Sequence, residues 1–218
     1  LMGYSCGGYT LHRFLTTKVS EEWKHEYIEK IIFMVPSFGG SMDTFDVLFD
    51  QQSPLTPIHN QNMVDLLQSL PYVHSHLLNQ EVYADVPAVR GPDGKNYTAK
   101  DLPHLLISHK KIDKSFLNVM NMGLELIRKA PADINMPTAI IFNTGYPTRL
   151  TRNFKHGWNH IPIVETTKGD GTIPSKAAQW ACENWNHKNY PKICIDLDNH
   201  EERFRHQPMT RNPFVHEL

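Results

Sequence analysis

An α/β fold with a mostly parallel sheet is predicted for this chain of 218 residues, and three observations predict it. Short apolar runs read as buried strands. Helical stripes separate them. Residues able to do chemistry follow the strands, and parallel sheets gather reactive groups at their carboxyl ends.

The elements follow in chain order. Gly3-Tyr4-Ser5-Cys6-Gly7-Gly8 reads as G-x-S-x-G, a turn that carries a serine from a strand end into a helix. A larger side chain at Gly3 or Gly7 is expected to collide across that turn. Leu11, Phe14 and Leu15 then fall at i, i+3 and i+4, as one helix face would. Lys-Ile-Ile-Phe-Met-Val, residues 30–35, is a continuous apolar run closed by Pro36 and Gly39-Gly40, as in the buried strands of parallel sheets.

From Ser41 to Lys114 the pattern fragments. Short amphipathic pieces such as Met63 to Leu70 alternate with Pro54, Pro57, Pro71, Pro87, Pro92 and Pro103. A structureless loop of that length is improbable, so residues 41–114 are expected to form a cap or lid insertion. The core is expected over residues 1–40 and 115–218. Phe116, Met120, Leu124 and Ile127 form a helical stripe expected to pack on the sheet. Thr-Ala-Ile-Ile-Phe, residues 138–142, is a second strand, and Ile161 to Val164 one arm of a hairpin. Pro174 opens a helix whose inward face is Ala177, Ala178, Ala181 and Trp185. Lys-Ile-Cys-Ile-Asp-Leu, residues 192–197, is the third strand.

Composition narrows the function. Twenty-two basic and 23 acidic side chains leave a net charge of −1. That gives no electrostatic basis for nucleic acid as a partner. No apolar run reaches the length of a membrane span. Thirteen histidines and three cysteines show no metal-ligand spacing, so neither metal nor cofactor is expected. Cys182 and Cys194 either pair, which suits a secreted or lumenal protein, or remain reduced and buried.

In the α/β-hydrolase fold a catalytic triad runs in chain order serine, acid, histidine. Asp170, in Gly169-Asp170-Gly171-Thr172, follows the second strand, and its glycines leave room for a tight loop. His200 comes three residues after the strand ending at Leu197; His206 and His216 lie farther on. His200 is therefore favoured as the base over His206. The expected site is Ser5, Asp170 and His200, with the backbone N–H of Cys6 as an oxyanion donor. The predicted chemistry is acyl transfer through an ester on Ser5. Only Leu1 and Met2 precede the turn, so the opening strands and the loop with the second oxyanion donor are expected to be missing. The 218 residues alone would then be weak or inactive.

With these residues in place, the chain resembles the lecithin:cholesterol acyltransferase-like proteins, nearly end to end. Gly3 to Gly8 resembles the family's serine turn, with Tyr4 and Cys6 where histidine and methionine are usual. Trp23-Lys24-His25-Glu26-Tyr27-Ile28, then Pro36-Ser37-Phe38-Gly39-Gly40, resembles a second block. Ser69-Leu70-Pro71-Tyr72 and Asn96 to Asp101 resemble two cap landmarks, and Gly145-Tyr146-Pro147-Thr148 a segment after a late strand. The specific blocks are Gly169-Asp170-Gly171-Thr172-Ile173-Pro174, with Ser175, Cys182 and Trp185, and His200-Glu201-Glu202-Arg203-Phe204, where Arg203 replaces an apolar residue.

The resemblance implies a lipid O-acyltransferase or phospholipase. Its donor would be a phospholipid, its acceptor a sterol, diacylglycerol or water, and it would work at a membrane or lipoprotein surface. It also implies a lumenal, secreted or vacuolar setting. Leu66, Leu67, Leu70 and Tyr72 either line an acyl groove or pack the cap's own core. Trp158 either touches lipid or is a plain surface aromatic. A general esterase, or an inactive lipid-binding relative, is the alternative.

Overall fold

The computed structural model describes residues 1–50, 61–186 and 190–216. Pro54 and Pro57 lie outside them. The elements begin with β1 (Met2–Tyr4), α1 (Cys6–Thr17), α2 (Glu21–Tyr27), β2 (Ile31–Met34) and α3 (Met42–Phe49). Next come α4 (Gln61–Gln68), α5 (Pro71–His74), β3 (Val89–Arg90), β4 (Asn96–Tyr97), α6 (Leu102–Ser108) and α7 (Leu117–Glu125). The chain continues with β5 (Thr138–Phe142), β6 (Tyr146–Asn153), β7 (Ile163–Gly169), α8 (Lys176–Asn184), β8 (Lys192–Asp196) and α9 (Pro213–His216).

Contacts divide the chain into two units. The first contains Leu1–Phe38, Pro131–Thr148 and Thr167–Leu218; the second contains Gly39–Ala130 and Arg149–Thr166.

The first unit carries a four-stranded sheet in the order β1-β2-β5-β8. Every pairing in it is parallel, with Gly3 opposite Phe33, Phe33 opposite Ile140 and Ile140 opposite Cys194. Central β2 and β5 are apolar along their length because both faces are covered: Ile31, Phe33, Met34, Ile140 and Ile141 are all buried. Helix α8 turns Ala177, Ala178 and Ala181 inward, as its sequence predicts. A disulfide joins Cys182 of α8 to Cys194 of β8. Of the two alternatives for these cysteines, the structure has the bonded pair.

Helix α1 is rotated from the expected face. Gly8, Tyr9, His12 and Leu15 are buried, while Phe14 is exposed. The cause is a close approach at its start: a Cβ on Gly8 would lie 3.1 Å from the Pro36 Cβ. That contact turns the row 8, 12, 15 toward the sheet. His12 stacks on Trp185 at 5.5 Å and bonds to the Ala132 carbonyl at 2.7 Å. Burial pushes its pKa down to about 4.

The second unit packs short helices with a small sheet in the order β4-β3-β6-β7. Its interior includes Phe45, Phe49, Leu77, Tyr83, Leu102, Leu106 and Phe154. Arg152, almost fully buried on β6, is held by the Asp46 carboxylate of α3 through Nε at 2.7 Å and through Nη2. Trp158 is half-buried among Phe49, His109 and Phe154, so it belongs to an aromatic cluster. Leu66, Leu70 and Tyr72 are exposed, and Leu67 is half-buried.

The second unit is larger than the expected insertion. It continues to Ala130 and therefore includes α7, which was expected on the sheet. Gly123 explains this: a side chain there would strike the Pro71 carbonyl and the His74 side chain. The missing Cβ lets α7 press against α5. The stripe Phe116, Met120, Leu124, Ile127 shows that one face is covered, and gives no sign of what covers it.

Candidate active site

Ser5 and Asp170 each follow a strand end, and His206 lies between two short 3-10 turns. β1 stops at Tyr4, and Ser5 takes φ 52° and ψ −125° before α1 begins. That conformation costs a non-glycine residue energy and persists only where neighbours enforce it. The Ser5 N–H donates to the Met34 carbonyl at 3.0 Å. The Ser5 carbonyl receives the N–H of Gly8 at 3.0 Å and of Ser37 at 3.2 Å. Gly3 is required because its Cβ would lie 2.7 Å from the Gly8 Cα. Gly7 differs from expectation: a Cβ there would meet nothing within 4 Å. The crowded pair is Gly3 and Gly8, because Gly7 sits on the exposed side of the first helical turn.

Asp170 follows β7 and is 1% exposed. Its Oδ1 accepts the backbone N–H groups of Thr172 at 2.9 Å and Ile173 at 2.7 Å. Oδ2 is thereby aimed elsewhere. Both flanking glycines have structural causes. A side chain on Gly169 would overlap Thr148, and Gly171 has φ +92° and donates to Thr148 Oγ1 at 2.8 Å.

The group facing that carboxylate is His206. Its Nδ1 lies 2.6 Å from Asp170 Oδ2, and its Nε2 lies 2.9 Å from Ser5 Oγ. A carboxylate only accepts, so in the neutral ring the proton sits on Nδ1 and Nε2 is left as the acceptor facing Ser5 Oγ. Ser5, Asp170 and His206 thus form one hydrogen-bonded row within the first unit.

The structure corrects the histidine. His200 is exposed and lies outside this row. The reason is how the segment after β8 is spent. Asn143, at the end of β5, donates to the carbonyls of Asn199 and Phe204, each at 2.9 Å, and its Oδ1 accepts the Asn199 N–H at 3.0 Å. Gly145 lets the Asn199 backbone pass closely. Phe204 then sinks into a cluster with Met34, Val35, Met209 and Val215. The chain is anchored at 199 and 204, so the first imidazole that can reach Asp170 is His206. The sequence sign for it is slight: an apolar Phe204 two residues before and Pro208 two after. His216 lies in α9.

Asn143, Thr148 and Tyr4 also hold the site; Tyr4 and Thr148 lie in blocks that carry the resemblance, and Asn143 in none of them. Tyr4 is buried enough, and close enough to Asp170, that its pKa is pushed up to about 12. Its hydroxyl donates to the His206 carbonyl at 2.7 Å.

Cys6 opens α1, where the first N–H groups have no acceptor within the helix. Among the described residues, no group of three or more His, Cys, Asp or Glu side chains could hold a metal ion. No described helix is long and apolar enough to cross a membrane.

Residues 1–86 match the family model described as lecithin:cholesterol acyltransferase. Over that stretch the chain is similar to that family. The matched residues include Ser5 and end before Asp170 and His206. No curated protein matches the chain. Among solved structures, the one described as "The crystal structure of Tle4-Tli4 complex" superposes with a TM-score of 0.60 at 11% identity. The alignment covers 99% of this chain and 57% of that one. At that identity the likeness is one of fold.

Proposed function

We propose that this chain is a serine hydrolase or acyltransferase of the α/β-hydrolase type acting on lipid esters. The observation that carries it is the hydrogen-bonded row Ser5–His206–Asp170, with Ser5 at the end of a strand of the parallel sheet. Ser5 Oγ attacks the ester carbonyl while His206 Nε2 takes its proton. Asp170 holds the ring and stabilises the imidazolium. The Cys6 N–H donates to the developing oxyanion. The C–O bond to the alcohol then breaks, and His206 returns the proton to the departing alkoxide. In the second half, water or an acceptor alcohol gives its proton to His206 and attacks the acyl carbonyl. The bond to Ser5 breaks and Ser5 regains a proton.

Lipid as substrate is supported by the family match over residues 1–86 and by the motif resemblance beyond it. The second unit is proposed as the cap, with exposed Leu66, Leu70 and Tyr72 available to acyl chains. The Cys182–Cys194 disulfide supports a lumenal or secreted setting.

The test is to treat the protein with a fluorophosphonate and map the adduct, then to supply labelled phospholipid with and without a sterol or diacylglycerol. An adduct on Ser5 and label in the acceptor ester are expected. No adduct on Ser5 removes the nucleophile. An adduct with hydrolysis of short esters, but no reaction with phospholipid, points to a general esterase.

A further inference from the structure

We infer that Tyr4 is a positioning residue: its hydroxyl fixes the backbone of the histidine that faces the nucleophile. The inference rests on the triad proposed above. Tyr4 immediately precedes Ser5 on β1, and its phenol O–H donates to the His206 carbonyl at 2.7 Å. The two rings lie 5.1 Å apart. On its other side the His206 peptide is tied too, since its N–H donates to the Asp170 carbonyl at 3.0 Å.

These bonds matter because no long regular element carries His206. The chain between β8 and α9 contains only short 3-10 turns, at Glu202–Phe204 and Pro208–Arg211. Such a segment takes its position from tertiary bonds. A side-chain nitrogen must lie within a few tenths of an ångström of its partner to take a proton well, so backbone slack at residue 206 reaches the chemistry directly. The phenol ties that backbone to the strand that carries Ser5. Nucleophile and base then move together. The phenol suits this task because it stays protonated, and so remains a donor, at any physiological pH. The anchored ring is also partly buried against the cluster of Met34, Val35, Phe204, Met209 and Val215.

The experiment compares the wild type, Tyr4→Phe and Val215→Ala. Tyr4→Phe keeps the ring and removes only the hydroxyl. Val215→Ala opens a cavity in the same cluster away from the hydrogen bonds. For each, the rate of fluorophosphonate capture at Ser5, kcat and KM on a short-chain p-nitrophenyl ester, and the melting temperature are measured. Tyr4→Phe is expected to lower capture and kcat about tenfold with KM within about twofold. Val215→Ala is expected to lower the melting temperature while keeping kcat. Wild-type rates in Tyr4→Phe overturn the inference and leave the triad standing. Equal losses of kcat in the two variants, tracking their melting temperatures, also overturn it, since they would reduce Tyr4 to packing. If the wild type itself takes no label at Ser5, the triad falls first.

Discussion

His206 Nδ1 stands 2.6 Å from Asp170 Oδ2, and the backbone N–H of the same histidine donates to the carbonyl of the same aspartate at 3.0 Å. Two bonds, one from the ring and one from the chain, dock residue 206 on residue 170. The second does not depend on protonation, so it sets where the ring can swing. His200, held outward by the Asn143 clamp on Asn199, has no comparable tether.

The two histidines should therefore behave oppositely. His206→Ala is expected to lower ester turnover on the order of 10⁴–10⁶-fold, as loss of a triad base does elsewhere. His200→Ala should stay within about twofold. Steady-state rates on a p-nitrophenyl ester decide it, and a severe loss in His200→Ala alone would reverse the assignment.

Asp170→Asn keeps the shape and removes the acceptor that selects the tautomer. A loss of about 10⁴ in kcat is expected. Oδ1 also accepts two backbone N–H groups, and the oxygen of a neutral amide accepts them more weakly than a carboxylate does, so the loop after β7 should loosen as well. Hydrogen exchange at Thr172 and Ile173 should quicken in the variant.

The glycines of the serine turn separate by crowding. Gly7→Ala meets open space in a helical first turn and should be neutral or stabilising by up to about 1 kcal/mol. Gly3→Ala, whose Cβ would lie 2.7 Å from the Gly8 Cα, should misfold or cost about 3 kcal/mol or more. Urea denaturation of the two variants measures the difference.

Acid should destabilise the first unit through His12. Its pKa is lowered from 6.5 to about 4 in the fold, so the unfolded chain binds the proton more readily. The stability it supports is complete above pH 6.5 and is lost as pH falls from there toward 4, on the order of 3 kcal/mol in all. His12→Phe keeps a ring against Trp185 and cannot titrate. Its stability, though lower at pH 7 for want of the bond to Ala132, should fall less steeply over that interval.

Reduction should weaken the packing of α8 on β8. The bond between Cys182 and Cys194 closes a short loop, with a sequence separation of 12. Opening it should cost about 2–3 kcal/mol on a chain-entropy account. Denaturation of a Cys182→Ser/Cys194→Ser variant gives the number; a loss under about 0.5 kcal/mol would mean that the strands already hold the segment in place.

What the sequence determined was local. Apolar runs at 30–35 and 138–142 mark strands buried on both faces, because continuous apolar side chains at a two-residue period leave no wet side; the run at 192–197 forms a strand too, but it ends the sheet order and leaves Ile193 exposed. Gly3 before Ser5, and Gly169 and Gly171 around Asp170, mark turns that few other residues could make, while the second crowded glycine of the serine turn is Gly8 and not the expected Gly7. Tertiary structure decided the rest. The rotation of α1 followed from one approach of Gly8 to Pro36, and the place of α7 from one approach of Gly123 to α5. Which histidine meets Asp170 depended on how many residues the chain spends folding over Asn143 and Gly145 after β8. Such distances are set by contacts between residues far apart in the chain, and spacing along the sequence does not encode them.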